Sequence, residues 1–179
     1  MRSAFCVALL AVGLLGACSS SSEEVAADQV LLVSDFENLA GWGGLQSPSL
    51  TRERAHSGQY SIKTDATLEY SLTFSDVLAR LPAGPLTKIR VSAWVFAPAP
   101  GGAHLMVQFT RTLQDNTPVF DGSIALSPAG KKRGEWVYLS QVFDLPTTLS
   151  PANQLRVFVW RASASEPLYV DDLVIAREQ

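Results

Sequence analysis

Short runs of alternating apolar and polar residues, cut by Gly, Pro, Ser and Asn, fill the chain from Gln29 onward. A strand turns successive side chains to opposite faces, so a two-residue period marks a strand with one buried face. The pattern predicts strands over 30–37, 60–64, 68–74, 89–97, 105–112, 123–126, 137–144, 155–161 and 168–176, with one helical turn within 75–81. The clearest runs sort their side chains into two sets. In "IRVSAWVFA", Ile89, Val91, Ala93 and Val95 alternate with Arg90, Ser92, Trp94 and Phe96. Leu105, Val107 and Phe109 alternate with Met106, Gln108 and Thr110, and Leu155, Val157 and Val159 with Arg156, Phe158 and Trp160. Ser57–Gly58, "LPAGP" and "APAPGG" supply turns between runs. This many short strands without a long amphipathic helix predict an all-β protein, an antiparallel two-sheet sandwich or jelly roll.

Two consequences concern chemistry. If the aliphatic sets face the core, one outer sheet face carries Trp94, Gln108, Arg156, Phe158 and Trp160, an unusually aromatic surface. It suits a ligand cleft, packing beneath a covering loop, or a protein interface. The last run, "LYVDDLVIA", places two adjacent carboxylates in an apolar strand. Strict alternation sends Asp171 and Asp172 to opposite faces and drives one of them inward, where a bare charge is costly.

Composition narrows the classes. With 179 residues, 47% of them hydrophobic and 17% charged, the chain can bury one continuous core. A formal net charge of -3 without a basic stripe argues against nucleic acid as a partner. The one Lys/Arg cluster, "GKKRG", is bracketed by glycines and reads as a solvated turn. No catalytic signature is present: there is no G-x-S-x-G elbow and no H-E-x-x-H. Carboxylates sent to opposite faces cannot act together as a glycosidase pair. Of the two histidines, His56 lies in a turn and reads as structural, and His104 reads as an exposed residue at a strand edge. The chain is therefore read as a non-enzyme.

The first residues, "MRSAFCVALLAVGLLGACSSSSEE", join Arg2 to an apolar stretch too short for a mature membrane span. "LGAC", 15–18, resembles the lipobox of bacterial lipoproteins. The resemblance implies a signal peptide over 1–17, lipidation of Cys18 and anchoring to a membrane by several acyl chains. Cys6 lies in the discarded segment, so no cysteine remains for a disulfide or a thiolate site. Residues 18–28 have the composition of a polar tether, leaving 29–179 as the folded domain. Ser19 after the cysteine resembles outer-membrane lipoproteins, which places the chain in a bacterial cell envelope, where an envelope protein is an additional candidate partner.

Four stretches in order, "SDFENLAGW", "ERAHSGQYSIKT", "IRVSAWVFAP" and "GEWVYLSQVFDLP" followed by "LYVDDLVIA", resemble carbohydrate-binding modules of the CenC type, the galactose-binding-like jelly rolls. The resemblance spans residues 30–176. It implies a structural calcium ion held by Glu37, by carbonyl oxygens near Ser57 and Gln59, and by Asp171, calcium being a cation of six to eight oxygen ligands. Asp35 competes with Glu37, and Asp172 with Asp171, for these roles. The alternative is that the paired aspartates meet Arg52, Arg54 or Lys63, or accept backbone N–H groups. The resemblance also implies a carbohydrate ligand, since sugars offer apolar C–H faces to aromatic rings and hydroxyls to polar side chains. In that pattern Trp136 belongs to the core, and Trp42 either plugs one sandwich end or lines a loop-tip site.

Overall fold

The computed structural model describes residues 29–43, 48–82, 84–99, 101–126 and 133–178. The leader, Cys18 and its tether, and Lys131 and Lys132 of the basic turn lie outside the described residues. The described residues form ten strands: β1 (Val30–Ser34), β2 (Leu50–Thr51), β3 (Ser61–Thr64), β4 (Phe74–Val77), β5 (Lys88–Phe96), β6 (His104–Thr110), β7 (Pro118–Ala125), β8 (Trp136–Asp144), β9 (Gln154–Trp160) and β10 (Leu168–Arg177). A 3-10 turn covers Leu78–Arg80. One sheet runs β2-β3-β10-β5-β8 with β1 beside β10, the other β4-β9-β6-β7. Each pairing is antiparallel. The fold is a two-sheet jelly-roll sandwich, as the alternation predicts.

The three aliphatic sets fill the space between the sheets. Ile89, Val91 and Val95 of β5, Leu105, Val107 and Phe109 of β6, and Leu155, Val157 and Val159 of β9 are all sealed from solvent. Hydrophobic burial of this kind contributes roughly 1.5–3 kcal/mol for each large side chain. Trp42 closes one end of the core, its ring 5.0 Å from Phe36 and 5.8 Å from Phe74.

Several boundaries differ from the sequence expectation, each for a local reason. β1 stops at Ser34, because the Asp35 carboxylate accepts the Glu37 N–H and Phe36 takes a left-handed φ of 59°. The 68–74 run holds only bridges, Leu68 with Asp65 and Tyr70 with Trp160; strand pairing resumes over Phe74–Val77, and the helical turn expected within 75–81 is the 3-10 turn at Leu78–Arg80. β7 starts at Pro118 and passes through Gly122, two residues that read as breakers. Pro118 sits at a strand start, where a missing N–H is tolerated. A Cβ on Gly122 would lie 2.8 Å from the Phe120 ring and 3.1 Å from Phe143, so close packing requires the glycine.

The largest difference lies in β10. Leu168 and Val170 face the core, and so do Leu173 and Ile175. Two inward pairs separated by three residues cannot belong to one unbroken alternation. A bulge between Asp171 and Val174, with Asp172 at φ 47°, absorbs the extra residue. Asp171 and Asp172 therefore do not point to opposite faces; both carboxyl groups emerge on the outer side.

Candidate functional site

The two sheets present two very different outer faces. On the six-stranded sheet the cross-strand register aligns Trp94 with Tyr138, and Phe96 with Trp136 and Tyr169. The segment between β2 and β3 folds over these rings. His56 stacks on Trp94 with ring centroids 3.9 Å apart and planes within 14°. Its edge meets Trp136 at 5.5 Å. The Arg54 guanidinium lies 4.2 Å from the centre of the Phe96 ring. Trp136 thus packs beneath this loop on the outer side, and not in the core between the sheets.

The same loop receives the paired aspartates. Asp171, fully buried, accepts the His56 N–H at 2.7 Å and the Ser57 N–H at 3.2 Å on one oxygen, and the Asp172 N–H at 2.8 Å on the other. Burial pushes its carboxyl above the usual carboxylate range, and these three N–H groups pull it back only in part. Asp172 meets His56 Nδ1 at 2.5 Å and accepts the Ser57 hydroxyl at 2.6 Å. Glu37 reaches the far side of the turn, accepting the Gln59 and Tyr60 N–H groups at 2.6 and 2.7 Å. Asp35 is spent on its own local turn, so Glu37 is the residue that joins the first strand to the loop. Gly58 lies between them at φ 55°, and a Cβ there would fall 2.4 Å from Glu37 Oε1.

Glu37, Ser57, Gln59 and Asp171, the expected calcium ligands, are thereby gathered at one junction. The hard carboxylate oxygens of Glu37 and Asp171 suit calcium by type. Among the described residues, no group of three or more His, Cys, Asp or Glu side chains is arranged to hold a metal. Where carbonyl oxygens near Ser57 and Gln59 were expected, the main-chain groups that meet the two carboxylates are the N–H donors of His56, Ser57, Gln59 and Tyr60.

The four-stranded sheet has the open face. Its outward side chains fall into rows across the strands: Ser75, Arg156, Gln108 and Asp121; then Phe158, Met106 and Ser123; then Trp160, His104 and Ala125, with Tyr70 bridged to Trp160. Tyr70, 53% exposed, meets Phe158 edge-on at 6.0 Å, and His104 lies over Trp160 at 5.9 Å. The Trp160 indole N–H points to Glu69 at 3.4 Å, and the Gln108 amide donates to Asp121 at 3.2 Å. Arg156, Phe158, Trp160 and Gln108 are half-buried, although the sheet's outer side faces solvent. Farther along, Thr110 and Gln154 are closed off entirely. The face carries rings along β9 and a polar row beside them.

Four of the five expected ligand residues, Gln108, Arg156, Phe158 and Trp160, thus share one face. The fifth does not: Trp94 belongs to the other sheet and is covered by His56. Alternation tells inward from outward along one strand but carries no information on which sheet a strand joins. Tyr70, His104 and Asp121 were not anticipated. Tyr70 sits in a run without regular pairing, and Asp121 in a strand hidden behind Pro118 and Gly122.

No family model matches the sequence, and no curated protein matches it. The fold does match solved structures. A family 16 carbohydrate-binding module superposes with a TM-score of 0.55 at 18% identity, covering 82% of this chain and 99% of that one. A family 22 carbohydrate-binding module of Clostridium thermocellum Xyn10B gives 0.53 at 14% identity, with 86% and 96% covered. The tandem family 22 modules of Paenibacillus barcinonensis Xyn10C give 0.56 at 19% identity, covering 87% of this chain and 48% of that chain. The protein therefore has the jelly-roll fold of carbohydrate-binding modules.

Proposed function

We propose that this chain is a non-catalytic carbohydrate-binding protein whose site is the outer face of the four-stranded sheet. One observation carries the reading: Tyr70, Phe158 and Trp160 share one outer face with Arg156, Gln108 and Asp121. Rings of this kind stack on the C–H faces of sugars while the polar row takes hydroxyls. A structure titled as a xylan-binding domain of family 22 shares the fold, with a TM-score of 0.51 at 15% identity. Affinity electrophoresis through gels holding neutral polysaccharides, xylan among them, tests the reading. Trp160→Ala and Phe158→Ala should each abolish most of the retardation while leaving the melting temperature within a few degrees. Retention unchanged in both variants, or absent from the parent protein on every polysaccharide, overturns it.

The lipobox-like "LGAC" supports a further part of the proposal, attachment to a bacterial outer membrane through lipid on Cys18. Incorporation of labelled palmitate should be lost in Cys18→Ser. Calcium at the junction of Glu37 and Asp171, with main-chain oxygens near Ser57 and Gln59, is likewise proposed, on the strength of two carboxylates meeting one turn. A carboxylate oxygen that accepts one N–H retains a second lone pair for a metal. Chelation should lower the melting temperature by several degrees and added calcium restore it; a melting curve indifferent to both removes calcium from the proposal.

A further inference from the structure

We infer that the glycan taken by this face is acidic, its carboxylate read by Arg156. The inference rests on the carbohydrate-binding reading above and adds the charge of the ligand. Of the described cations, Lys63, Arg80, Lys88, Arg90 and Arg111 each have a carboxylate within 4.0 Å. Arg156 has none among the described residues, and of the arginines without one it is the one that stands in the ring-lined face of the four-stranded sheet. The carboxylate closest to it along its row belongs to Asp121, on the far side of Gln108. Neighbouring strands lie about 4.8 Å apart, which separates the Arg156 and Asp121 backbones by about 10 Å. Gln108 also engages Asp121 directly through its amide, at 3.2 Å.

The guanidinium lies 6.0 Å from the centre of the Phe158 ring, at the outer limit of cation–π attraction. Arg156 stands two residues before Phe158 and four before Trp160 on β9, so a sugar stacked on those rings brings the next unit of its chain toward the fork. A guanidinium pairs with a carboxylate through two parallel N–H···O bonds, a geometry that a neutral sugar hydroxyl does not match. The half-buried setting shields such a pair from solvent more than an open surface would. A uronate-bearing polysaccharide supplies both parts, pyranose faces for the rings and a carboxylate for Arg156.

Affinity electrophoresis of the full chain tests this with matched polymers: polygalacturonate, alginate and glucuronoxylan, each beside its methyl-esterified form. Esterification removes the charge and keeps the backbone. At least one acidic form should be held about tenfold more tightly than its ester at low ionic strength, with the difference shrinking as salt is raised. Arg156→Leu should bring the acidic form down to the level of its ester, and Arg156→Lys should keep part of the preference. Arg156→Gln serves as a second neutral variant should the leucine variant fail to fold. Equal retention of acid and ester overturns the acidic assignment while leaving carbohydrate binding in place. An acid preference that survives both neutral variants overturns the role of Arg156. Failure to retain any of these polymers also overturns the inference, and the neutral panel above then decides whether carbohydrate binding fails with it.

Discussion

Asp171 shows how much one residue can demand of its neighbours. A carboxylate with no solvent exposure survives because three backbone N–H groups, from His56, Ser57 and Asp172, point at its two oxygens. Asp171→Asn keeps the shape but replaces one acceptor oxygen with an NH2 group. Whichever way the amide turns, a donor then faces a donor, the Asp172 N–H or the His56 and Ser57 pair. A buried donor left without an acceptor costs about 1–3 kcal/mol, so the variant should unfold at correspondingly lower denaturant. Measured by urea unfolding at neutral pH, an Asn variant as stable as the parent would show that these bonds contribute nothing net. The conflict between charge and burial was legible in "VDD" itself. Its resolution was legible too, and missed: Leu168 and Val170 followed by Leu173 and Ile175 betray a slip of one residue in the alternation, the sign of a bulge. Strict alternation applied across that slip sends the two aspartates apart, when in the molecule they converge on the same two residues.

At the scale of elements, long strands with strong alternation were readable and short or interrupted ones were not. β5, β6 and β9 carry aliphatic residues at every second position, and nothing competes with that signal. β2 has only two residues and exists because Leu50 and Thr51 pair with Ile62 and Ser61, a tertiary fact absent from any local pattern. β7 was half hidden because Pro118 and Gly122 speak locally for turns, although the edge of a sheet tolerates the first and ring packing requires the second. The loop between β2 and β3 was readable as a turn, yet not as a cover. "ERAHSGQ" gives no local hint that His56 and Arg54 lie flat on Trp94 and Phe96 of a strand some forty residues away. That cover occupies one face of the Trp94 ring. The aromatic strip of β9 has no comparable lid among the described residues. The candidate site was therefore legible residue by residue on β6 and β9, and illegible wherever it depended on which sheet a strand joins.

For the whole molecule, the same packing sets how stability responds to pH, and the two limbs differ. On the alkaline side Lys63 and Tyr169 act together. The Glu53 carboxylate, 2.7 Å from Lys63 Nζ, raises the ammonium above its ordinary 10.5, and burial first, then Glu53, raises the Tyr169 phenol above 10.0. Both groups hold their protons more tightly folded than unfolded, so the stability they contribute is whole below those ordinary values and is lost as pH rises through the folded ones. On the acid side the contributions oppose. Glu53 is lowered chiefly by its bond to Lys63, and Asp65 chiefly by the Thr67 hydroxyl, so their stabilisation is present above about 4.5 and 3.8 and drains away as pH falls through the lowered values. Asp171 has the reverse sign, because its raised carboxyl takes up a proton more readily in the folded state and offsets part of that loss. Stability should accordingly fall above about pH 10 as Lys63 and Tyr169 give up their protons, and below about pH 4 as Glu53 and Asp65 take theirs up. Lys63→Met removes the partner shared by Glu53 and Asp65 and leaves Tyr169 alone on the alkaline side. Denaturation midpoints measured across the pH range should show both limbs flattened in that variant, the alkaline one more. Parallel curves for the parent and Lys63→Met, offset by a constant amount, would mean that Lys63 contributes through its packed alkyl stem and not through its charge.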